Sequence, residues 1–191
     1  MTTAEPQVHL WTRSEYYKMA YVGLFDHKRV ELIEGQVIEM SPMGSLHATA
    51  VALVARTVER VFSNDHFVRW QMPFVIGEFS EPEPDVAVVP GNVRDYAATH
   101  PTHAALIIEV AETSLTYDRT EKASLYAKAG IAEYWIVNLV DDQIEVYRDP
   151  VPDTAAPYGF RYATNSILTR NDTISPLAAP QAIISVTDLL P

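Results

Sequence analysis

Two acidic residues in apolar, strand-like segments are the first candidates for chemistry in this sequence. Glu109 lies in the run AALIIEVA, residues 104–111, and Asp85 opens the run DVAVV, residues 85–89. A carboxylate that stays ionised in apolar surroundings costs several kcal/mol unless a cation or hydrogen-bond donors compensate it. Two such acids on core strands therefore suggest a divalent metal site, held by Asp85 and Glu109.

A lysine on the following helix is the candidate basic group for this site. Lys122 comes thirteen residues after Glu109, and Tyr126 lies one helical turn further along. The apolar pattern turns Ala123 and Tyr126 towards the core, so the stem of Lys122 can lie along this boundary. Its ammonium group can then reach a polar site at the sheet.

The elements that must position these residues follow from periodicity and turn signals. Helical spacing and capping signals predict helices over residues 13–25, 45–62 and 117–129. Strand-like runs predict strands over residues 30–33, 36–40, 67–70, 73–76, 85–89, 104–111, 133–138, 143–147 and, at a sheet edge, 160–164. A helical turn is expected over residues 92–99, a loop around Pro150, Pro152 and Pro157, and a packed tail over residues 183–190. This order favours an α/β fold with a mixed sheet flanked by helices.

Composition limits the class of protein. A length of 191 residues fits one domain, and the absence of cysteine excludes disulfides, zinc–thiolate sites and thiol nucleophiles. No apolar stretch is long enough to cross a bilayer, and the N-terminus lacks the features of a signal peptide, so we expect a cytoplasmic protein without membrane contact. The net charge of −11 counts against tight binding of nucleic acid, because that affinity comes mostly from basic groups that neutralise phosphates.

Several short motifs occur in a specific order between residues 8 and 148. They are ELIEG at 31–35, MSP at 40–42, LH at 46–47, PDV at 84–86, EV at 109–110, the residues Asp118, Lys122 and Tyr126, and GIAEYWIV at 130–137. Together they resemble the Uma-two family of restriction-endonuclease-like proteins, which belongs to the PD-(D/E)XK nuclease superfamily. In that superfamily a lysine usually stands two residues after the second acid. The family pattern moves this lysine to the following helix, which accounts for Ala111 at that position.

The resemblance implies a fold and a set of site residues. It implies a restriction-endonuclease-like mixed sheet in a single domain over residues 1–191, with a core over residues 8–148 and an extension over residues 149–191 packed on it. By the same resemblance, the catalytic residues are Asp85, Glu109, Lys122 and Glu31, where Asp85 and Glu109 bind Mg²⁺ or Mn²⁺ and Glu31 is a helper acid. The candidates for the edge of the site are His47, Gln71 and Tyr126.

The implied activity is metal-dependent hydrolysis of DNA by an endonuclease. A hard cation neutralises the phosphate and lowers the pKa of an attacking water, and carboxylates are suitable ligands for magnesium or manganese. A nearby lysine can orient the water or stabilise charge on the phosphoryl oxygens. Because cleavage of a duplex needs two nicks, and related nucleases pair their sites, a homodimer is expected.

The catalytic candidates also have structural alternatives. Glu109 could belong to a buried ion pair, and Asp85 could cap a loop. Lys122 could lie in solvent and pair with Asp118 four residues earlier, as helical lysines commonly do. Glu31 could be an ordinary residue on the solvent face of its strand.

The residues at the edge of the site and the function have alternatives too. His47 could be a core histidine, Gln71 could satisfy backbone groups, and Tyr126 could serve packing. The chain could be a catalytically silent binding or scaffold module with a nuclease fold, which its negative charge favours. It could also be a nuclease that acts on RNA or nucleotides.

Overall fold

The computed structural model describes residues 5–62 and 65–191. The helices are α1 (Arg13–Tyr21), α2 (Ser45–Val61) and α3, which joins the consecutive segments Leu115–Tyr117, Asp118–Lys122 and Ala123–Lys128. The strands are β1 (Val30–Ile33), β2 (Gln36–Glu39), β3 (His66–Arg69), β4 (Val86–Pro90), β5 (Leu106–Ala111), β6 (Glu133–Asn138), β7 (Gln143–Pro152), β8 (Phe160–Leu168), β9 (Thr173–Ile174) and β10 (Ile184–Ser185). Two 3-10 turns span Val93–Tyr96 and Val186–Asp188.

A six-stranded mixed sheet forms the centre of the fold, in the strand order β3-β4-β5-β6-β7-β8. Strands β5 and β6 are parallel, and the other neighbouring pairs are antiparallel. Every residue of β5 and β6 is buried, as expected for strands that are covered on both faces. The predicted class, an α/β fold with a mixed sheet flanked by helices, is confirmed.

The two faces of the sheet pack against different helices because side chains alternate along each strand. On one face, Ile108 belongs to an apolar cluster with Val54 of α2. On the other face, Ile107 belongs to a cluster with Ala123 and Tyr126 of α3. None of the helices in the described part of the chain is long and apolar enough to cross a membrane.

Helix α1 begins where its capping signal predicts but ends earlier. The side chain of Thr12 accepts a hydrogen bond from the backbone N–H of Glu15, and the side chain of Glu15 accepts one from the N–H of Thr12. The predicted end near residue 25 is wrong, because the helix stops at Tyr21. Gly23 adopts a left-handed conformation with φ of 80°, which commonly terminates a helix.

The hairpin β1–β2 lies outside the main sheet and carries Glu31. Its turn residues Glu34 and Gly35 both have positive φ, 46° and 78°, as a tight primed turn requires. A β-carbon at Gly35 would lie 2.6 Å from the β-carbon of Leu10, so a side chain at this position would clash. Strand β1 joins the rest of the fold through a bridge between Leu32 and Glu81.

The strand predicted over residues 73–76 is wrong. This segment makes only an isolated bridge, between Ile76 and Ser80. The N–H of Phe74 donates to the carbonyl of Pro82, and the N–H of Val75 donates to the carbonyl of Pro101. The backbone groups are therefore satisfied by loops on two sides rather than by one neighbouring strand.

The loop predicted at Pro150 and Pro152 is also wrong, because β7 continues through both prolines. They pair with Tyr162 and Phe160 of β8, whereas pairing with β6 ends at Arg148. One edge of this last part of β7 is thus free, and a proline there costs no ladder bond. The edge strand predicted over residues 160–164 is present as β8, which continues to Leu168.

Substitutions of two isoleucines test this assignment of the core. Ile108→Ala should lower the free energy of unfolding by about 2–5 kcal/mol, because the side chain is fully buried and its removal leaves a cavity. Ile167→Ala on β8 should change it by no more than about 0.5 kcal/mol, because that side chain is largely exposed. Urea unfolding followed by circular dichroism measures both values. Equal losses would contradict the placement of β5 at the centre of the sheet.

Candidate active site

Asp85 and Glu109 lie side by side on neighbouring strands. Asp85 immediately precedes β4, and Glu109 follows Ile108, the β5 residue that pairs with Val86. The backbone N–H of Asp85 donates to Oε2 of Glu109 at 3.1 Å, and the N–H of Val110 donates to Oδ2 of Asp85 at 2.9 Å. These reciprocal bonds hold two buried carboxylates at one end of the sheet.

Lys122 reaches the same position from α3. Its Nζ lies 2.6 Å from Oε2 of Glu31 and donates to Oε1 of Glu109 at 3.2 Å. Burial alone would lower the pKa of Lys122, but the charges of Glu109 and Glu31 outweigh it and raise that pKa above its usual value. The alternative of a solvent-exposed Lys122 paired with Asp118 is wrong, because both side chains are buried.

Glu109 is a buried carboxyl group whose negative charge is only partly compensated by the nearby cation of Lys122. Burial raises its pKa to about 8, against the lowering effect of Lys122, and the charge of Asp85 adds to the increase. The hydroxyl of Tyr126 donates to Oε1 of Glu109 at 2.6 Å. Glu109 is also in contact with a buried basic residue, as its structural alternative requires. Its partner is the same lysine that the family resemblance assigns to the site.

The side chain of Asp85 is bound by donors from two further elements. Nε2 of His47, on α2, lies 3.1 Å from Oδ1 of Asp85, and the amide of Gln71 donates to the same oxygen at 3.2 Å. Burial alone would raise the pKa of Asp85, but the bonds from His47, Val110 and Gln71 outweigh it and lower that pKa. Asp85 therefore stays ionised.

Glu31 is an interior residue although β1 lies outside the main sheet. Only 1% of it is exposed, so the alternative of a solvent-face residue is wrong. Its Oε1 accepts a hydrogen bond from the N–H of Glu83 at 3.0 Å, and its Oε2 lies beside Lys122. The ammonium group of Lys122 therefore contacts two carboxylates, that of Glu31 from the outer hairpin and that of Glu109 from the main sheet.

A cavity of about 400 Å³ opens onto these side chains. The predicted residues that line it are Glu31, His47, Asp85, Glu109 and Lys122. Gln71 and Tyr126 do not line it, and they act on the site only through their bonds to Asp85 and Glu109. The loop over residues 40–44 and residues 112–114 form much of the remaining wall.

Three further cavity residues were not predicted as members of the site. The Ser114 hydroxyl donates to Oδ2 of Asp118 at 2.5 Å, and burial raises the pKa of Asp118 to about 6. The Tyr117 hydroxyl is buried and has no hydrogen-bond partner within the described residues. Burial raises the pKa of Tyr117 to about 12, so this group is available as a donor.

A π-helical segment explains why Asp118 and Lys122 both point inwards. It spans Asp118–Lys122, and the N–H of Ala123 donates to the carbonyl of Asp118 five residues earlier. Such segments are rare and occur frequently at functional sites. The four-residue spacing of Asp118, Lys122 and Tyr126 was the available sequence signal for an inward-facing stripe. No sequence signal distinguished Tyr117.

Two carboxylate oxygens of this site are open to a further ligand. Oδ2 of Asp85 and Oε2 of Glu109 each accept one backbone hydrogen bond, and a carboxylate oxygen has about two acceptor positions. Within residues 5–62 and 65–191, no three His, Asp or Glu side chains converge to enclose a metal ion. A cation held here would have only two protein carboxylates, a ligand set that suits magnesium with its retained waters.

A comparison with known families identifies the family of the chain. The profile of the Uma-two family, described as "Putative restriction endonuclease", matches residues 13–187. The chain belongs to the Uma-two family. The match extends well beyond residue 148, where the sequence motifs end, and takes in the C-terminal strands of the sheet. The family resemblance inferred from the motifs is confirmed.

A solved structure shares the fold. It is described as a "putative nuclease belonging to DUF820" from Anabaena variabilis, with a TM-score of 0.69 and 16% sequence identity. The similarity covers 93% of this chain and 96% of the other. No curated protein matches the chain. The family match supports a nuclease, and the solved structure shows that the fold is shared.

Two lysines on α3 test the role of the buried ion pairs. Lys122→Met should lower the free energy of unfolding by about 3–5 kcal/mol, because it leaves Glu31 and Glu109 buried without their cation. Lys128→Met removes a partly exposed pair with Glu34 and should cost no more than about 1 kcal/mol. Chemical unfolding of both variants gives the comparison. A Lys122 variant as stable as the Lys128 variant would show that the interior charges do not depend on this ammonium group.

Proposed function

We propose that this chain is a metal-dependent endonuclease that hydrolyses phosphodiester bonds in DNA. The observation that carries the proposal is the meeting of Asp85, Glu109 and Lys122 at the wall of one cavity. Carboxylates can hold the metal ion, a lysine can stabilise charge on the phosphoryl oxygens, and the cavity gives a phosphodiester access to both. Family membership supports the nuclease class, and the substrate and metal are our inference.

The carboxylates of Asp85 and Glu109 are the groups that would hold Mg²⁺ or Mn²⁺. When bound, the ion would supply charge neutralisation for the phosphate and a lower pKa for a water molecule. The raised pKa of Glu109 supports this assignment, because burial has left its carboxylate poorly compensated by the protein alone. Asp85, which hydrogen bonds keep ionised, provides the permanent negative charge.

The remaining residues position the reacting groups. Lys122 keeps its charge in the interior and can stabilise the negative charge that builds up on phosphoryl oxygens. Glu31 provides a second carboxylate beside the ammonium group, in addition to Glu109. His47 and Gln71 orient Asp85, and Tyr126 orients Glu109.

Two alternative functions are less well supported by the geometry. A silent scaffold has no use for an interior lysine that bridges two acids at a cavity, since such pairs are costly to bury. A nuclease that acts on RNA or nucleotides would use the same catalytic groups. It would differ from a DNA endonuclease only in the substrate that the cavity admits. Cleavage of a DNA duplex needs two nicks, which two paired centres could supply, and the homodimer stays a prediction from the sequence.

Plasmid cleavage tests the proposal. Purified protein should nick or linearise plasmid in Mg²⁺ or Mn²⁺ but not in EDTA, and Glu109→Gln should lower the rate at least about 100-fold. Glu59→Gln, which changes an exposed acid on α2, is the matched control and should keep the wild-type rate. Mn²⁺ should raise the melting temperature of the wild type but not of the Glu109 variant.

Three outcomes of that experiment would oppose the proposal in different ways. Cleavage that survives Glu109→Gln would place the reaction elsewhere. Cleavage of RNA oligonucleotides alone would favour the ribonuclease alternative. If no substrate is cleaved and no metal raises the melting temperature, the scaffold alternative stands.

The unpaired hydroxyl of Tyr117 gives a second test within the same site. Tyr117→Phe should leave stability unchanged or slightly higher, because the hydroxyl forms no bond within the described residues. It should lower the cleavage rate about 10- to 100-fold if the hydroxyl donates to the phosphate. Tyr147→Phe, whose hydroxyl donates to Glu145 outside the cavity, is the control. Equal rates for both variants would remove Tyr117 from the site.

A further inference from the structure

Arg69 is a buried cation that lacks an acidic partner. It ends β3 and is only 5% exposed. No carboxylate oxygen of the described residues lies within the 4.0 Å of a salt bridge to it. Its Nη2 donates to the carbonyl of Pro73 at 3.3 Å, and burial lowers the pKa of the guanidinium. An interior charge compensated in this way is costly, so a partner from outside the chain would stabilise it.

Two neighbouring side chains connect Arg69 to an open space. The guanidinium carbon lies 5.4 Å from the centre of the Tyr96 ring, and Nη2 lies 3.4 Å from Nδ1 of His100. A guanidinium has donors only, so Nδ1 of His100 must accept and the ring proton is on Nε2. Within the described residues Nε2 makes no hydrogen bond. His100 therefore has a free donor, with a positive charge directly behind it.

Tyr96 and His100 form part of the wall of a second cavity, of about 500 Å³. The other polar residues that line this cavity are Arg13, Tyr17, Thr99 and Thr102. We call it the Arg69 cleft, although Arg69 itself lies behind Tyr96 and His100 and is not part of the wall. No carboxylate is among its lining residues in the described part of the chain, although the chain has 25 acids and 14 basic residues.

The charge balance around the cleft is positive. Nε of Arg13 is 2.5 Å from Oε2 of Glu81, a buried acid that also accepts a bond from the Tyr17 hydroxyl. Arg13 and Glu81 therefore neutralise each other, and the charge of Arg69 has no acidic partner among the described residues. The cavity thus offers the N–H of His100 at its wall, and the charge of Arg69 lies directly behind that ring. An N–H donor backed by a positive charge suits an oxyanion.

We propose that the Arg69 cleft binds a phosphate group, with His100 donating to it and Arg69, behind His100, providing the positive charge. The site is separate from the carboxylate centre, and the binding needs neither a metal nor cleavage. It lies close to that centre along the chain, because Gln71, which donates to Asp85, is two residues beyond Arg69. The phosphate can come from a bound nucleic-acid strand or from a free phosphate compound.

Titration of the protein with inorganic phosphate in EDTA tests the site, by calorimetry and by melting temperature against sodium chloride of equal ionic strength. The wild type should bind phosphate saturably. Arg69→Met should weaken the affinity at least about tenfold, and His100→Phe should weaken it several-fold. Arg56→Met, an exposed arginine on α2, is the matched control and should bind as the wild type does. The His100 variant keeps the test valid if the Arg69 variant does not fold.

A second arm identifies the source of the phosphate. If the group belongs to a nucleic-acid strand, Arg69→Met should weaken binding of a short DNA oligonucleotide in EDTA and reduce its salt dependence by about one phosphate contact. If it is a free compound, only phosphate binding should change. Either result supports the site. Absence of saturable phosphate binding by the wild type, or equal binding by wild type, Arg69 and His100 variants, would overturn it. Because no metal is present, none of these outcomes depends on nuclease activity.

Discussion

The interior of this protein contains more negative charge than its own cations can neutralise, and the candidate active site depends on that imbalance. Glu31, Asp85, Glu109 and Asp118 are buried around one cavity, where Lys122 is the buried cation. The chain compensates through hydrogen bonds to Asp85 and through raised pKa values of Glu109 and Asp118. A divalent ion would relieve the same imbalance, which is why the proposed metal site is consistent with the energetics of the fold.

This arrangement can form only when most of the fold is in place. Glu31 comes from the outer hairpin, Glu109 from the central strand β5, and Lys122 from the π-helical segment of α3. The antiparallel register of β4 and β5 sets the position of Asp85 beside Glu109. Tertiary packing from both faces of the sheet must therefore support the cost of the buried charges, since none of these elements could do so alone.

Much of the fold was predictable because its signals are local. The capping box at Thr12 and the turn at Gly35 fix the ends of their elements through nearby residues. The strand predicted at residues 73–76 failed because its N–H groups bond to Pro82 and Pro101, and no local pattern reveals such partners. The loop predicted at the prolines of β7 failed for the same reason. A strand can contain these prolines only because β6 ends before them, and the local sequence does not show where β6 ends.

Some features of the candidate site could be predicted from the local sequence, and others depend on contacts between distant segments. The acids Asp85 and Glu109 were recognisable because a charge in an apolar strand is unusual in any sequence. The burial of Glu31 could not be read from its strand, which lies outside the main sheet and is covered by other elements. Arg69 gave no comparable signal, because it ends a short strand in which only Phe67 and Val68 are apolar. Its lack of an acidic partner became visible only in three dimensions.

The distribution of charge also bears on how an acidic chain could bind nucleic acid. Ion pairs such as Arg13–Glu81 and Arg148–Glu133 use up basic groups without changing the net charge of −11, so the long-range field repels phosphates. That field is screened beyond about 8 Å at physiological ionic strength. Binding is then decided by the few places where a phosphate meets local positive charge. We propose two places of this kind, the Arg69 cleft and the carboxylate pair once a cation occupies it. An acidic nuclease can therefore bind its substrate through contacts that the net charge does not describe.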